Sequence, residues 1–191
     1  MRKVADLYSR VFVIDTMAEY GEERRSRWHV ANGFKSCVEA VREAHDMERF
    51  RIALRTETTD EALDLLALIY TVPDSLVIVE ETAFYCSPSH LPDEMQALVR
   101  LGRHQRISQI YITQRPAAVH RDITAAADLV IAFRTHENRD VKYFRDLAGE
   151  QGELVKKLPL YKVWVYGDVE RAPMPVLEAI HAPFDRSSAE T

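Results

Sequence analysis

The sequence predicts an α/β fold: a mostly parallel sheet with helices on both faces. Three observations predict it. Short apolar runs alternate along the chain with helix-like segments of roughly 10–15 residues, the order that builds a parallel sheet. The clearest runs, Val11-Phe12-Val13-Ile14 and Leu76-Val77-Ile78-Val79, are apolar at every position, as strands covered on both faces are. These runs end on polar groups: Asp15 after the first, Glu80 and Glu81 after the second, and Thr113-Gln114 after Ile110-Tyr111-Ile112. Open α/β sheets present ligand-binding groups at the carboxyl ends of their strands.

Taken in order, residues 3–9 read as the end of a helix and 11–14 as a strand. The stretch from Thr16 to Arg27 is polar and reads as a loop. Trp28-His29-Val30 is a short candidate strand. Ser36, with Glu39 at capping-box spacing, predicts a helix to about Asp46. Phe50 to Arg55 alternates and predicts a strand near an edge. Thr59 is the expected cap of a helix from Asp60 to Tyr70, with Ala62, Leu65, Leu66 and Ile69 on one face. Pro73 and Asp74 break the chain before the strand at 76–79. A helix follows at Asp93–Arg103, then a strand at Ile110–Thr113, a helix at Ala117–Ala127, a strand at Leu129–Phe133 and a helix at Asn138–Ala148. Tyr161 to Tyr166 alternates as a late strand, with 169–173 as its expected partner. Residues 184–191 are polar and read as a disordered tail.

The 191 residues suit one domain, 1–191, with a sizeable core. A net charge of −5 offers no bulk basicity for nucleic acid, although a motor needs only a local basic lining. Cys37 and Cys86 match no metal spacing and no disulfide scaffold, which favours a reducing cytoplasm. No apolar run approaches the roughly 18 residues of a membrane span.

Four apolar residues followed by two acids is the Walker B form. There the first acid helps to hold magnesium, usually through water, and the second activates the attacking water. Here the pair is Glu80 and Glu81; Glu80 stands where Asp is usual. On its own the pair reads equally well as the start of a solvated loop. Gln114, at the end of a neighbouring run, is a neutral polar group able to bond a γ-phosphate and the lytic water. The string Arg103-His104-Gln105-Arg106-Ile107-Ser108-Gln109-Ile110-Tyr111-Ile112-Thr113-Gln114-Arg115-Pro116 resembles the corresponding segment of FtsK/HerA-type DNA-translocating ATPases. Val11 to Tyr20 resembles that family's second strand and its Asp…Glu-Tyr turn, and Leu129 to Arg134 its strand after the sensor. The resemblance covers roughly residues 10–150.

That resemblance implies a RecA-like P-loop NTPase core of the ASCE type. It makes Glu81 the catalytic acid, Glu80 the magnesium-side acid, Gln114 the sensor and Arg103 a finger reaching a neighbour's nucleotide, with Arg106 and Arg115 as alternatives. It implies Mg-ATP as ligand, a homo-oligomeric ring, and double-stranded DNA as the partner moved or packaged. The small size leans towards a viral or mobile-element protein, in host cytoplasm or virion. The phosphate loop, however, is missing. None of the six glycines has the required spacing before Lys-Ser/Thr. Asn32-Gly33-Phe34-Lys35-Ser36 is a decoy with one glycine. In the family the loop's strand is central and, on this reading, beside the acid-bearing strand. Three arrangements stay open: a longer natural protein, strands that close up, or a late strand such as Tyr161–Tyr166 in the gap. Without the loop, little or no ATPase activity is expected. The alternative is a degenerate, non-catalytic relative that serves as an oligomeric binding module.

Overall fold

The computed structural model describes residues 5–21, 27–160 and 162–168. They fall into two compact units, 5–126 and the residues from Ala127 onward, where the sequence reading expects one domain.

In the first unit five parallel strands form one sheet: β1 (Arg10–Ile14), β2 (His29–Asn32), β3 (Phe50–Arg55), β4 (Leu76–Val79) and β5 (Ser108–Tyr111), in the order β2-β3-β1-β4-β5. The all-apolar runs become the inner strands β1 and β4, and every residue from Leu76 to Val79 is fully buried. Their side chains divide by strand alternation. Phe12, Ile14, Ile52, Leu54, Val77 and Val79 pack with the apolar faces of α1 (Phe34–Ala44), α2 (Thr59–Ile69) and α3 (Asp93–Leu101). Val11, Val13, Ala53, Leu76 and Ile78 face the other way, against Ala5, Tyr8, Tyr20 and Trp28. Each aliphatic side chain buried this way contributes about 1.5–3 kcal/mol.

The placement of the helices follows from handedness. The crossovers β2-α1-β3, β3-α2-β4 and β4-α3-β5 all step in the same sense along the sheet, so right-handed connections put them on one face. The connection from β1 to β2 steps the other way, and its Tyr20 and Trp28 pack on the opposite face, ring centroids 4.7 Å apart.

Several boundaries differ from the sequence reading. Helix α1 starts at Phe34, not beyond Ser36, because Gly33 at φ 79° turns the chain directly off β2. Its N–H donates to the Arg55 carbonyl (2.8 Å). Thr58, not Thr59, caps α2: its hydroxyl accepts from the Glu61 N–H while the Glu61 carboxylate reaches back to the Thr58 N–H. The α-helix at 93 ends at Leu101 and tightens into a 3-10 turn, Gly102–Gln105. The strand expected at Ile110–Thr113 runs over Ser108–Tyr111. The helix expected at Ala117–Ala127 divides into a 3-10 turn, Pro116–Ala118, and α4 (Arg121–Ala126).

Of the arrangements left open, no gap stands beside the acid-bearing strand. β4 is paired on both sides, by β1 and by β5. Nor does the late strand enter this sheet. In the second unit β7 (Val163–Gly167) pairs antiparallel with β6 (Leu129–Phe133), from Leu129↔Gly167 to Phe133↔Val163. The partner expected at 169–173 and the tail at 184–191 lie outside the described residues. Helix α5 (Asn138–Ala148) packs on this ribbon through Phe144, whose ring meets Trp164 edge-on at 5.5 Å. The Glu137 carboxylate caps it by accepting from the Asp140 N–H (2.9 Å).

Candidate active site at the carboxyl edge of the sheet

Strand order reverses at one place in the five-stranded sheet. The chain leaves β1 towards β3 and β2, and leaves β4 towards β5. The crevice between the carboxyl ends of β1 and β4 is therefore the expected ligand position. Asp15 and Glu80 are the first residues past those two strands, and the register Ile14↔Val79 makes them neighbours.

Asp15 is fully engaged. Its Oδ2 accepts from Arg55 Nε (2.8 Å) and the Tyr20 N–H (3.4 Å), and its Oδ1 accepts from the Glu19 N–H (2.9 Å). Arg55 Nη2 also donates to the Tyr20 carbonyl (2.5 Å). This carboxylate and guanidinium knot the turn 15–20, in which Ala18 takes a left-handed φ of 56°. The knot delivers the Tyr20 ring under the sheet end, where its hydroxyl hydrogen-bonds Glu80.

Glu80 is the unusual residue. It is only 7% exposed, and its Oε2 has no partner among the described residues. Burial, reinforced by the nearby Asp15 and Glu19 carboxylates, pushes its pKa up to about 7, although the Tyr20 hydrogen bond pulls the other way. Burial, then Glu80 itself, drives the Tyr20 hydroxyl well above the ordinary tyrosine range. A buried carboxylate with an unsatisfied oxygen costs stability, and such orphans call for a missing partner.

Glu81 leaves the strand at φ 47°, a left-handed conformation that costs about 1–2 kcal/mol for a residue with a Cβ. Its carboxylate is half-exposed and makes no hydrogen bond or ion pair among the described residues. Thr82 explains why the turn is held so tightly. Its N–H donates to the Ile112 carbonyl (2.8 Å) and its buried hydroxyl to the Val79 carbonyl (3.2 Å), while the Ile112 N–H donates to Val79 (2.9 Å). The acid turn is thus stitched to the end of β5, which carries Thr113 and the exposed Gln114. Strained backbone held by its surroundings in this way is a pointer to function.

The structure therefore brings Glu80, Glu81 and Gln114 to one edge, and leaves Arg103 at the other. Arg103 sits, exposed, on the turn entering β5, where the Asp74 N–H donates to the Gln105 carbonyl. The length of β4 separates it from Glu81 by roughly 15 Å, so it does not serve the acids of its own copy. Arg106 is committed to a forked pair with Asp74. Arg115, exposed, is beside Gln114 at the carboxyl edge. Sequence reasoning missed Arg55, which carries no local signal, since only the register Ile14↔Leu54 sets it next to Asp15; it marked Tyr20 only as the end of the Asp…Glu-Tyr turn, without its hydrogen bond to Glu80.

A magnesium ion fits this edge in one respect. Among the described residues no three His, Cys, Asp or Glu side chains form a cage. Magnesium bound with nucleotide needs only one or two carboxylates, water and phosphate oxygens, and the free Glu80 oxygen is such a group. A phosphate cradle does not fit. Lys35 is exposed at the end of β2, and the order β2-β3-β1-β4 puts three strand spacings, about 14 Å, between it and the acids. A cleft of about 290 Å³, lined by Asp15, Thr16, Thr56, Thr58 and Tyr85 among others, is on the β1–β3 side of Asp15.

No protein-family model matches the chain, and no curated protein matches it. Solved structures do. The genome-packaging NTPase B204 of Sulfolobus turreted icosahedral virus 2, in complex with ATP-gammaS, superimposes with a TM-score of 0.65 at 18% identity, over 87% of this chain and 80% of that one. The same NTPase with AMP gives 0.67 at 18% identity, over 86% and 80%. The DNA-packaging ATPase B204 of Sulfolobus turreted icosahedral virus gives 0.62 at 17%, over 86% and 80%. At this identity the likeness establishes the fold, a P-loop NTPase-like α/β core.

Proposed function

We propose that this chain is the motor ATPase domain, or part of one, of an FtsK/HerA-type packaging or translocating machine that couples ATP hydrolysis to movement of double-stranded DNA. The observation that carries the reading is Glu80, a buried carboxylate with a partnerless oxygen at the sheet's reversal point, next to the strained Glu81 and to the stitched Ile112, two residues before Gln114. The packaging-NTPase fold supports the same reading.

In this reading Glu80 would hold the magnesium that comes with the nucleotide through its partnerless Oε2, while Tyr20 fixes the carboxylate. When bound, magnesium neutralises charge on the β- and γ-phosphate oxygens. Glu81, unpaired, orients a water and accepts its proton as the water attacks the γ-phosphate. Gln114 hydrogen-bonds that water and a γ-oxygen and so reports the nucleotide state to β5. Arg103 acts in trans, at the nucleotide of the next subunit in a ring, where its guanidinium stabilises the transferring phosphoryl group.

A second reading has its own observation. The 191 residues contain no glycine-rich Lys-Ser/Thr loop, and Lys35 is on the wrong strand to replace it. On that reading the chain is a non-catalytic oligomeric module with an inherited acid edge. Calorimetric titration of Mg-ATP into the protein, with Glu81→Gln to stop turnover, separates the two. Micromolar binding supports the motor; no heat at millimolar nucleotide supports the module.

A further inference from the structure

The carboxyl edge is not the only place where charge is gathered. At the opposite edge of the same sheet, a cleft of about 300 Å³ opens between the ends of β2 and β3 and the last turn of α1. Among the described residues Arg27, His29, Arg49 and Arg51 line it, against one acid, Glu43. This is a concentration of cations in a chain whose net charge is −5. Arg51 is partly committed, its Nη2 3.0 Å from Asp6. Arg27 and Arg49 are exposed and make no ion pair among the described residues. Arg10 adjoins the cleft and stiffens its wall. It donates to the carbonyls of Ala44 and His45 (3.4 Å each), and its guanidinium lies over the Phe50 ring (5.4 Å).

The chemistry of the lining selects the partner. Guanidinium forks suit phosphate oxygens better than ammonium groups do, and the described residues of the lining include three arginines and no lysine. A single-strand site would need exposed aromatic rings for base stacking. Of the two rings in the described lining, Phe50 is 8% exposed and lies beneath Arg10, and the other is the small imidazole of His29. With no exposed Phe, Tyr or Trp ring in the described lining, the arginines are suited to backbone phosphate.

We propose that this cleft, with Arg27 and Arg49 at its rim, is a sequence-independent contact for the phosphate backbone of double-stranded DNA, on the sheet edge opposite the nucleotide. The inference rests on the DNA half of the function proposed above and on no step of hydrolysis, so its test contains no ATP.

The test is fluorescence anisotropy of a labelled 20-base-pair duplex, titrated with the protein between about 25 and 200 mM salt. Wild-type protein binds, and binding weakens with salt. Arg27→Gln/Arg49→Gln weakens binding about tenfold at mid-range salt and lowers the slope of log K against log salt by about 2, because each lost phosphate contact removes roughly 0.9. Glu43→Gln strengthens binding. A matched removal of two exposed cations of α5, Arg139→Gln/Lys142→Gln, leaves the slope unchanged. An unchanged slope in the rim variant, or an equal drop in the α5 variant, overturns the cleft while leaving DNA as a partner. No duplex binding by wild-type protein at the lowest salt overturns both. Rim-dependent binding of oligo-glutamate in place of the duplex assigns the cleft to an acidic protein and also overturns the inference.

Discussion

Replacing Glu80 with glutamine tests whether the acid edge is kept at the expense of stability. The folded protein raises the Glu80 pKa from 4.5 to about 7. At about 1.4 kcal/mol for each pH unit, the charged form costs about 3 kcal/mol. The sign follows from linkage: the folded state holds this proton more tightly than the unfolded state. The cost is absent below about pH 4.5, grows as pH rises, and is complete above about pH 7. Glutamine keeps the acceptor for Tyr20 and carries no charge towards Asp15 and Glu19. Glu80→Gln is therefore expected to be about 3 kcal/mol more stable than wild type at pH 8 and about equal to it at pH 4.5. Urea unfolding followed by circular dichroism at both values measures this, provided the slope of unfolding is unchanged. Equal stability at pH 8, or the same gain at both pH values, would refute the argument that a buried, partly unpaired carboxylate destabilises this edge.

Tyr20→Phe removes a donor that favours ionised Glu80, so the Glu80 pKa should climb beyond about 7, read by carboxyl-carbon NMR across a pH series. Asp15→Ala unties Arg55 and two backbone N–H groups of the turn, and a loss of about 3 kcal/mol is expected by calorimetry. Thr58→Ala removes half of the α2 capping box and should cost about 1 kcal/mol in the same measurement, with no effect on any ligand.

The legible parts of the sequence were those with strong local patterns. The inner strands were apparent because a run such as Leu76–Val79 has no polar residue to place outside, and both of its faces are indeed buried. Helix α5 has the boundaries that its pattern gives, Asn138–Ala148. The order of the strands was not legible, since crossover connections leave no mark in the residues they join. Which of the three open arrangements holds beside β4 was not readable for that reason: β1 and β5 take up its two sides. The cap of α2 could have been found, because Thr58 and not Thr59 has Glu61 three residues on. The candidate site was half legible. Glu80, Glu81 and Gln114 stand at strand ends in the sequence and meet at one edge in space. The support beneath them does not show in one dimension. Asp15 and Arg55 are 40 residues apart, and the Asp…Glu-Tyr turn does not say that Tyr20 reaches Glu80.

The central claim is that nucleotide, with its magnesium, binds at the edge formed by β1, β4 and β5. The most direct measurement is backbone amide NMR of the ¹⁵N-labelled protein titrated with Mg-ATP into the millimolar range, repeated with Glu80→Ala. The account predicts shifts confined to the turn 15–20, to 80–82 and to 113–115, and a loss of their magnesium dependence in the variant. Shifts centred on 32–36, or none at these strand ends, would contradict it.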